Sequence, residues 1–163
     1  MTLDPSAFPD YRVRTTAVVA YFETLSPASV AQLPLFYAPD ARFKDPFNEV
    51  QGLKAVTQVF EHMYEALDTP HFVITHSLVD GDQAFLTWDF KFKFKRFDTQ
   101  TLQTVRGGTH LQFDAQGLIT LHRDYWDAAQ ELYEKFPIVG GVLRWLRKRL
   151  ASPTLLRAGA RDL

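Results

Sequence analysis

The segment from Gln83 to Phe97 alternates strictly between apolar and polar side chains. One set consists of Leu86, Trp88, Phe90, Phe92 and Phe94, and the other of Thr87, Asp89, Lys91, Lys93 and Lys95. Because successive side chains of a β-strand point to opposite faces, this pattern predicts a sheet with one dry face and one face open to water or a partner. Asp80-Gly81 directly before it is a hairpin signal, so a partner strand is expected from His71 to Val79.

Helical periodicity precedes these strands. A first helix is predicted from about Pro9 to Leu25, and a shorter one opens at Ser26-Pro27 and is interrupted at Pro34, which is expected to start a fresh turn. Gly52 precedes a third helix. Apolar residues recur at helical spacing at Val18, Tyr21, Phe22 and Leu25 in the first helix, and at Leu53, Val56, Phe60, Met63, Tyr64 and Leu67 in the third.

Three more strands complete the plan. A short one is predicted from Ala41 to Lys44, a long one ends at Phe113, and the last runs from Leu118 to Trp126. Gly107-Gly108 inside a strand predicts a bulge or a sharp bend, as a strongly curved sheet needs. Helices followed by a meander of four long antiparallel strands indicate an α+β domain.

The C-terminal part is predicted to be helical. Asp127 with Gln130 forms a capping-box pattern for a short helix that ends at Pro137, and an apolar stripe predicts a last helix from Gly141 to Ala151. Its cations lie off the stripe, which favours a cover for a sheet face or a dimer contact over a membrane surface. The expected division is an N-terminal arm (1–12), one domain (13–127) and a helical extension (128–163).

Composition narrows the function classes. The 163 residues include 14 Phe, 6 Tyr and 3 Trp, enough to fill a large interior or to line a cavity for a flat apolar molecule. A formal net charge of −1 gives no field that attracts nucleic acid. The chain has no cysteine, shows no signal-peptide pattern and has no run long enough for a membrane span, so the expected location is the cytoplasm.

Metal and nucleotide chemistry lack sequence support. The five histidines form no HxxxH or HxH pair, and there is no GxSxG elbow, phosphate loop or GxGxxG motif. No metal and no cofactor are therefore expected. The remaining candidate chemistry is acid–base catalysis.

Asp45 and Tyr21 are the first acid–base candidates. Asp45 precedes a proline, which favours an extended backbone at that position. Tyr21 lies on the buried stripe of the first helix, so its hydroxyl needs a partner or a cavity. An aspartate that faced the same cavity would be suited to act as a general base. The alternatives are that Asp45 forms a turn with Pro46 and that the Tyr21 hydroxyl is bonded to backbone.

Two stretches of this sequence resemble those of ketosteroid isomerases and SnoaL-like polyketide cyclases, members of the nuclear transport factor 2-like superfamily. They are Tyr37-Ala38-Pro39-Asp40-Ala41-Arg42-Phe43-Lys44-Asp45-Pro46-Phe47, followed by Gly52, and Phe113-Asp114-Ala115-Gln116-Gly117-Leu118-Ile119, followed by Tyr125-Trp126. The resemblance covers about residues 13–127. It implies a cone-shaped α+β domain, with N-terminal helices packed on a strongly curved, mainly antiparallel sheet, and a homodimer formed through the outer sheet face.

The resemblance also implies site residues. Asp45 matches the catalytic base of the isomerases, and Tyr21 matches the tyrosine that hydrogen-bonds the enolate oxygen. Thr109 stands where the isomerases have a second, protonated acid, which argues against plain steroid isomerisation. Trp126 matches a pocket residue, and the other expected ligand contacts are Thr109, Phe60, Trp88 and Phe47.

His122 and Asp124 form a second candidate set. By strand alternation they share a face with Trp126, and SnoaL-like cyclases resemble this arrangement in using a pocket aspartate and histidine for proton transfer. Alternatively, Asp124 pairs with Arg106 or Arg123 and His122 is a wall residue with its hydrogen bonds satisfied. A further option is similar to the Asp-Arg-Asp set of limonene epoxide hydrolases, with Asp45, Arg106 and Asp124.

Two functions follow from these patterns. The first is cofactor-free isomerisation, cyclisation or dehydration of a small apolar carbonyl compound, with Asp45 as base, Tyr21 as oxyanion donor and His122 with Asp124 as relay. The second is a non-catalytic module that binds an apolar ligand or another protein. The change at Thr109 favours the second, and the clustered ionisable residues favour the first.

Overall fold

The computed structural model describes residues 9–96 and 98–131. The chain divides into two compact units after Trp126. In the first unit the elements are helix α1 (Tyr11–Glu23), a 3₁₀ helix (Ser29–Leu35), strands β1 (Tyr37–Lys44) and β2 (Glu49–Gln51), helix α2 (Leu53–Ala66), and strands β3 (Leu67–Asp80), β4 (Gln83–Phe94), β5 (Gln103–Phe113) and β6 (Ile119–Tyr125). The second unit contributes helix α3 (Ala128–Glu131) to the described part.

Helix α1 begins two residues later than predicted because Asp10 caps it. The Asp10 carboxylate accepts hydrogen bonds from the backbone N–H groups of Arg12 and Val13, which have no partner inside the helix. The predicted apolar stripe is confirmed for Val18, Tyr21 and Phe22, which are buried, whereas Leu25 lies beyond the end of the helix at Glu23. Helix α2 likewise buries Val56 and Phe60 in the core cluster.

The segment between α1 and β1 departs from the predictions in two places. Pro34 lies inside the 3₁₀ helix rather than starting a new turn. Strand β1 begins at Tyr37, four residues before the predicted start, although it contains Pro39-Asp40. The register against β6 shifts between Tyr37 and Arg42, and a proline without an N–H is tolerated at such an irregularity.

The six strands form one sheet in the order β2-β1-β6-β5-β4-β3. All neighbours are antiparallel except β1 and β6, which run parallel. The alternation predicted for β4 is confirmed: Leu86, Trp88 and Phe92 are buried, and Phe90 and Phe94 are partly buried against the same core. The predicted α+β class, with helices packed on a mainly antiparallel curved sheet, is therefore confirmed.

Of the two alternatives predicted at Gly107-Gly108, the bulge is wrong and the sharp bend stays a prediction. Strand β5 keeps an unbroken register with β4 through both glycines, and the register shifts lie in the β1–β6, β3–β4 and β5–β6 pairs instead. Gly107 is needed for another reason. A Cβ atom there would lie 2.4 Å from the Trp88 indole, so the glycine makes room for that ring on the inner face.

The chain after β6 is described only to Glu131. Asp127 caps α3 by accepting a hydrogen bond from the backbone N–H of Gln130, as the capping-box pattern predicts. The predicted helix end at Pro137 and the predicted helix from Gly141 to Ala151 lie outside the described residues. No helix in the described part is long and apolar enough to cross a membrane.

We expect Gly107→Ala to lower the free energy of unfolding by about 1–3 kcal/mol, because the new methyl group overpacks the buried Trp88 ring. Urea unfolding followed by tryptophan fluorescence measures the change. The same Gly107→Ala change in a Trp88→Phe background is the matched control and should cost less, since the smaller ring leaves room for the methyl group. Equal losses in the two backgrounds would contradict the role assigned to Gly107.

Candidate functional site

The candidate site lies on the inner face of the sheet, where four neighbouring strands each contribute to one hydrogen-bonded chain. The side chains are Tyr37 on β1, His122 and Asp124 on β6, Thr109 on β5 and Trp88 on β4. Thr109 and Asp124 are cross-strand partners, and His122 lies two residues before Asp124 on the same face. The order of the strands therefore brings together residues that are up to 87 positions apart.

The chain of contacts is continuous. The Tyr37 hydroxyl lies 2.6 Å from His122 Nδ1, and His122 Nε2 lies 2.9 Å from Asp124 Oδ1. The Thr109 hydroxyl donates to the same Asp124 oxygen at 2.5 Å, and Trp88 Nε1 donates to the Thr109 hydroxyl at 2.8 Å.

The chemistry of the donors fixes the direction of this chain. An indole N–H can only donate, so the Thr109 oxygen accepts from Trp88 and its proton goes to Asp124. An ionised Asp124 can only accept, which assigns the proton of the imidazole to Nε2. In the neutral imidazole Nδ1 is then the acceptor for the Tyr37 hydroxyl.

His122 and Asp124 differ in how far their side chains are exposed. His122 is 4% exposed and is enclosed by aromatic rings, with ring centroids at 4.7 Å for Phe43, 5.6 Å for Phe22 and 6.5 Å for Phe60. The Asp124 side chain is 14% exposed. The carboxylate is thus the more accessible member of the pair, and its Oδ2 has no hydrogen-bond partner among the described residues.

The alternative arginine partners are engaged elsewhere. The Arg106 Nε lies 3.9 Å from Asp89 on the opposite face of the sheet, and the Arg123 guanidinium lies over the Tyr125 ring. Asp124 therefore pairs with His122 rather than with either arginine.

Tyr37 is the site residue that the sequence reasoning missed. It is 1% exposed, and burial raises the pKa of its hydroxyl well above the usual range, with the charges of Asp124 and Tyr21 adding to the effect. The group therefore stays a neutral donor. Its signal was the apolar spacing of Tyr37, Ala41 and Phe43, but Pro39 concealed the strand that continues through it.

The Tyr21 hydroxyl is bonded to backbone, the alternative to its expected contact with a ligand. Its hydroxyl donates to the backbone carbonyl oxygen of Ser29 at 2.9 Å, and its ring stacks on Phe36 at a centroid distance of 4.1 Å. Burial, together with the nearby Tyr64, raises the pKa of Tyr21 to about 12. Tyr21 borders the same interior as Tyr37, but it makes no hydrogen bond to the chain of five residues.

The Asp45 carboxylate is engaged in hydrogen bonds within its own turn. Its Oδ1 accepts from the backbone N–H groups of Phe47 at 2.7 Å and Asn48 at 2.6 Å, and the Asn48 amide contacts both carboxylate oxygens. These bonds close the turn between β1 and β2. Asp45 is not joined to His122 or Asp124 by any hydrogen bond among the described residues.

The predicted ligand contacts fall into two groups. Phe60, Trp88 and Thr109 are buried core residues, and Phe60 packs against both Tyr37 and His122. Phe47 is 54% exposed and meets the partly buried Trp126 edge-on at 5.4 Å. Phe47 and Trp126 thus stand near the surface, and the other three lie inside.

Other features of the described residues do not coincide with this site. No group of three histidine, cysteine, aspartate or glutamate side chains is placed to hold a metal ion within the described ranges. An open depression of about 500 Å³ is lined by Arg12, Leu78, Phe85 and His110, among others, and by no member of the five-residue chain.

A family model described as the SnoaL-like domain matches residues 18–122, about two thirds of the chain. The protein belongs to the SnoaL-like domain family. No curated protein matches it. The resemblance to this superfamily that was inferred from the sequence is thereby confirmed.

Solved structures share the fold of this SnoaL-like domain. A ketosteroid isomerase-like protein from Catenulispora acidiphila, in complex with trimethylamine, is 21% identical, with a TM-score of 0.62 over 77% of this chain and 91% of that one. A protein from Shewanella denitrificans, provisionally named a SnoaL-like polyketide cyclase, is 18% identical, with a TM-score of 0.62 over 74% of this chain and 93% of that one. An LEH-like epoxide hydrolase from M. tuberculosis is 17% identical, with a TM-score of 0.63 over 88% and 100%.

The Asp-Arg-Asp set considered for epoxide hydrolysis is not assembled from the residues named for it. Arg106 is exposed on the outer face of β5, whereas Asp124 points to the inner face of β6. Asp45 is held in its turn by Asn48. In this SnoaL-like domain Arg106 and Asp124 therefore lie on opposite faces of the sheet.

We expect alkaline pH to destabilise the protein through its buried phenols. The pKa of an unfolded tyrosine is near 10.0, whereas burial raises the pKa of Tyr21 to about 12 and that of Tyr37 well above 10.0. The stability that these two phenols contribute is therefore present below pH 10 and is lost as the pH rises above it. Tyr37→Phe should lower stability at neutral pH by about 1–3 kcal/mol, because His122 Nδ1 loses its donor, but its further loss above pH 10 should be smaller.

Urea unfolding at a series of pH values, with Tyr125→Phe as the control for an exposed phenol, measures both effects. A Tyr37→Phe variant that lost as much stability above pH 10 as the wild type would contradict the raised pKa of Tyr37.

Proposed function

We propose that this SnoaL-like domain binds a small apolar carbonyl compound within its aromatic interior and moves a proton beside the carbonyl group without a cofactor. The observation that carries the proposal is the buried chain of hydrogen bonds with Asp124 at its centre. Four side chains hold one carboxylate oxygen directly or through a neighbour, and the other oxygen stays available. A carboxylate and an imidazole are costly to bury, and ionisable groups held together in an interior are candidates for a functional site.

Asp124 is the proposed general base. Oδ1 accepts from Thr109 and His122, which fixes the plane of the carboxylate, and Oδ2 would take a proton from the carbon next to the substrate carbonyl. The electron pair of the broken C–H bond passes into the carbonyl to give an enolate. In a conjugated dienolate, return of the proton from Asp124 to the far carbon gives isomerisation. Attack of the enolate carbon on a second carbonyl gives ring closure, and the proton then passes from Asp124 to the new alkoxide oxygen. Either step restores the carboxylate.

His122 is the proposed positioning residue. Both of its ring nitrogens are engaged, Nε2 with Asp124 and Nδ1 with Tyr37, so it has no free nitrogen for a substrate. Tyr37 holds the imidazole in the tautomer that donates to the carboxylate. This assignment places the base on β6 rather than on the β1–β2 turn, where the oxygens of Asp45 are engaged with Asn48.

A non-catalytic ligand-binding module is the second candidate, and one observation favours it. The hydroxyl of Tyr21, expected to stabilise an enolate, donates to the Ser29 carbonyl. Thr109, at the position of the second acid, gives its proton to Asp124. Neither expected donor is therefore free for a substrate oxygen. A non-catalytic module would not need such a donor.

The predicted homodimer and cytoplasmic location stay predictions. The outer sheet face that would form the dimer contact carries Leu78, Phe85 and Tyr125, with exposed fractions of 71%, 39% and 45%. These side chains lie on the face opposite to Asp124. A dimer through this face would leave the interior of each protomer unchanged.

We expect Asp124→Asn to slow exchange of the protons next to a ketone carbonyl by about 10²–10⁴-fold, the usual contribution of a general base. Proton magnetic resonance in deuterated water measures the exchange of α-tetralone, a two-ring ketone. The amide keeps an oxygen that accepts from Thr109 and His122, so the change removes the basic carboxylate and leaves the packing.

Two matched variants serve as controls. Asp89→Asn removes a carboxylate from the outer face, and Asp45→Asn tests the base expected from the family resemblance. Both should exchange protons at close to the wild-type rate. If α-tetralone bound but exchanged no faster than in buffer, the result would favour a non-catalytic binding module over an enzyme. Loss of exchange in Asp45→Asn alone would identify Asp45, in the β1–β2 turn, as the base.

A further inference from the structure

The hydroxyl of Tyr64 on α2 is buried and has no hydrogen-bond partner. It is the one side-chain polar atom in the described part of the chain for which this holds. Burial also raises the pKa of Tyr64, so the group keeps its proton and is a donor. Leaving such a donor unsatisfied is unfavourable, and a phenylalanine would fill the same volume without that cost.

The position of Tyr64 connects it with the candidate site. It follows Phe60 by four residues, so the two side chains lie on the same face of α2, about 6 Å apart along the helix. The Phe60 ring packs against Tyr37 at 6.4 Å and against His122 at 6.5 Å. Tyr64 thus stands one helical turn beyond the contact between α2 and the hydrogen-bonded chain.

Tyr21 belongs to the core cluster against which Tyr64 packs. Burial and, secondarily, the charge of Tyr64 raise the pKa of Tyr21. The Tyr21 hydroxyl donates its hydrogen bond to the Ser29 carbonyl, whereas the Tyr64 hydroxyl donates to no described acceptor. Of these two hydroxyls, that of Tyr64 is the one that can donate to a ligand.

We propose that the Tyr64 hydroxyl is the donor that binds the oxygen of the ligand, which assigns the ligand class as uncharged ring compounds with one keto oxygen. The inference deepens the proposed function and rests on it, because the ligand is the same carbonyl compound. In the reaction Tyr64 keeps its proton and hydrogen-bonds the enolate oxygen while Asp124 holds the proton taken from carbon. The apolar ring system lies against the aromatic side chains between them.

The test compares two probes that differ by one oxygen. α-Tetralone carries a single keto oxygen, and tetralin is the same two-ring skeleton without it. Calorimetric titration of the full chain should show that the wild type prefers α-tetralone over tetralin by roughly tenfold, as one hydrogen bond provides. Tyr64→Phe should abolish the preference and leave the affinity for tetralin unchanged, because only the hydroxyl is removed.

Two controls separate this role from a structural one. Tyr125→Phe removes an exposed hydroxyl and should keep the full preference. Thermal unfolding of Tyr64→Phe should show equal or greater stability than the wild type, because no hydrogen bond is lost and a buried donor is removed. A loss of stability would mean that the hydroxyl has an acceptor within the protein, and would overturn the inference.

The outcomes also distinguish this inference from the proposed reaction. A Tyr64→Phe variant that kept the preference for α-tetralone would overturn the role proposed for Tyr64, whatever Asp124→Asn does to proton exchange. Loss of the preference in Tyr64→Phe, with exchange unaffected in Asp124→Asn, would support the role of Tyr64 and refute Asp124 as the base. A wild type that bound neither probe would overturn the role of Tyr64 and the proposed ligand class together.

Discussion

The hydrogen bond between His122 and Asp124 is the interaction on which the interior of this domain depends. An imidazole and a carboxylate two residues apart on the inner face of a strand cannot be buried without partners for their remaining polar atoms. Tyr37 supplies the partner for the imidazole, and Thr109 supplies one for the carboxylate. Each partner lies on a strand next to β6, so the order of the sheet and the chemistry of the pair impose the same arrangement.

The same requirement extends outward to residues that contact neither His122 nor Asp124. Thr109 can direct its proton to Asp124 because Trp88 donates to its oxygen. Trp88 can reach Thr109 because Gly107, its cross-strand partner, leaves room for the indole. One pair of ionisable residues thereby accounts for a glycine on β5 and a buried tryptophan on β4, neither of which would be interpretable alone.

The sequence predicted the parts of this arrangement that depend on periodicity. The alternation along β4, the hairpin at Asp80-Gly81 and the shared face of His122 and Asp124 follow from a period of two residues, and the structure has all three. Tyr37 was not predicted because its strand passes through Pro39, and only the pairing with β6 permits that irregularity. The purpose of Gly107 depends on which residue lies across from it, and strand register is not written in the pattern of one strand.

The polar groups inside the domain are few, and their separation has a chemical consequence. Asp45 and Tyr21 were the expected catalytic pair. Asp45 accepts hydrogen bonds within its turn, and Tyr21 donates to the Ser29 carbonyl. Asp124 and Tyr64 retain unused capacity, one as an acceptor on β6 and the other as a donor on α2. An enolisation needs these two functions on opposite sides of one C–C bond, the acceptor at the carbon and the donor at the oxygen. Thr109 in place of a second acid agrees with the proposed reaction, in which its hydroxyl orients Asp124 and the donor for the substrate oxygen is Tyr64 on α2.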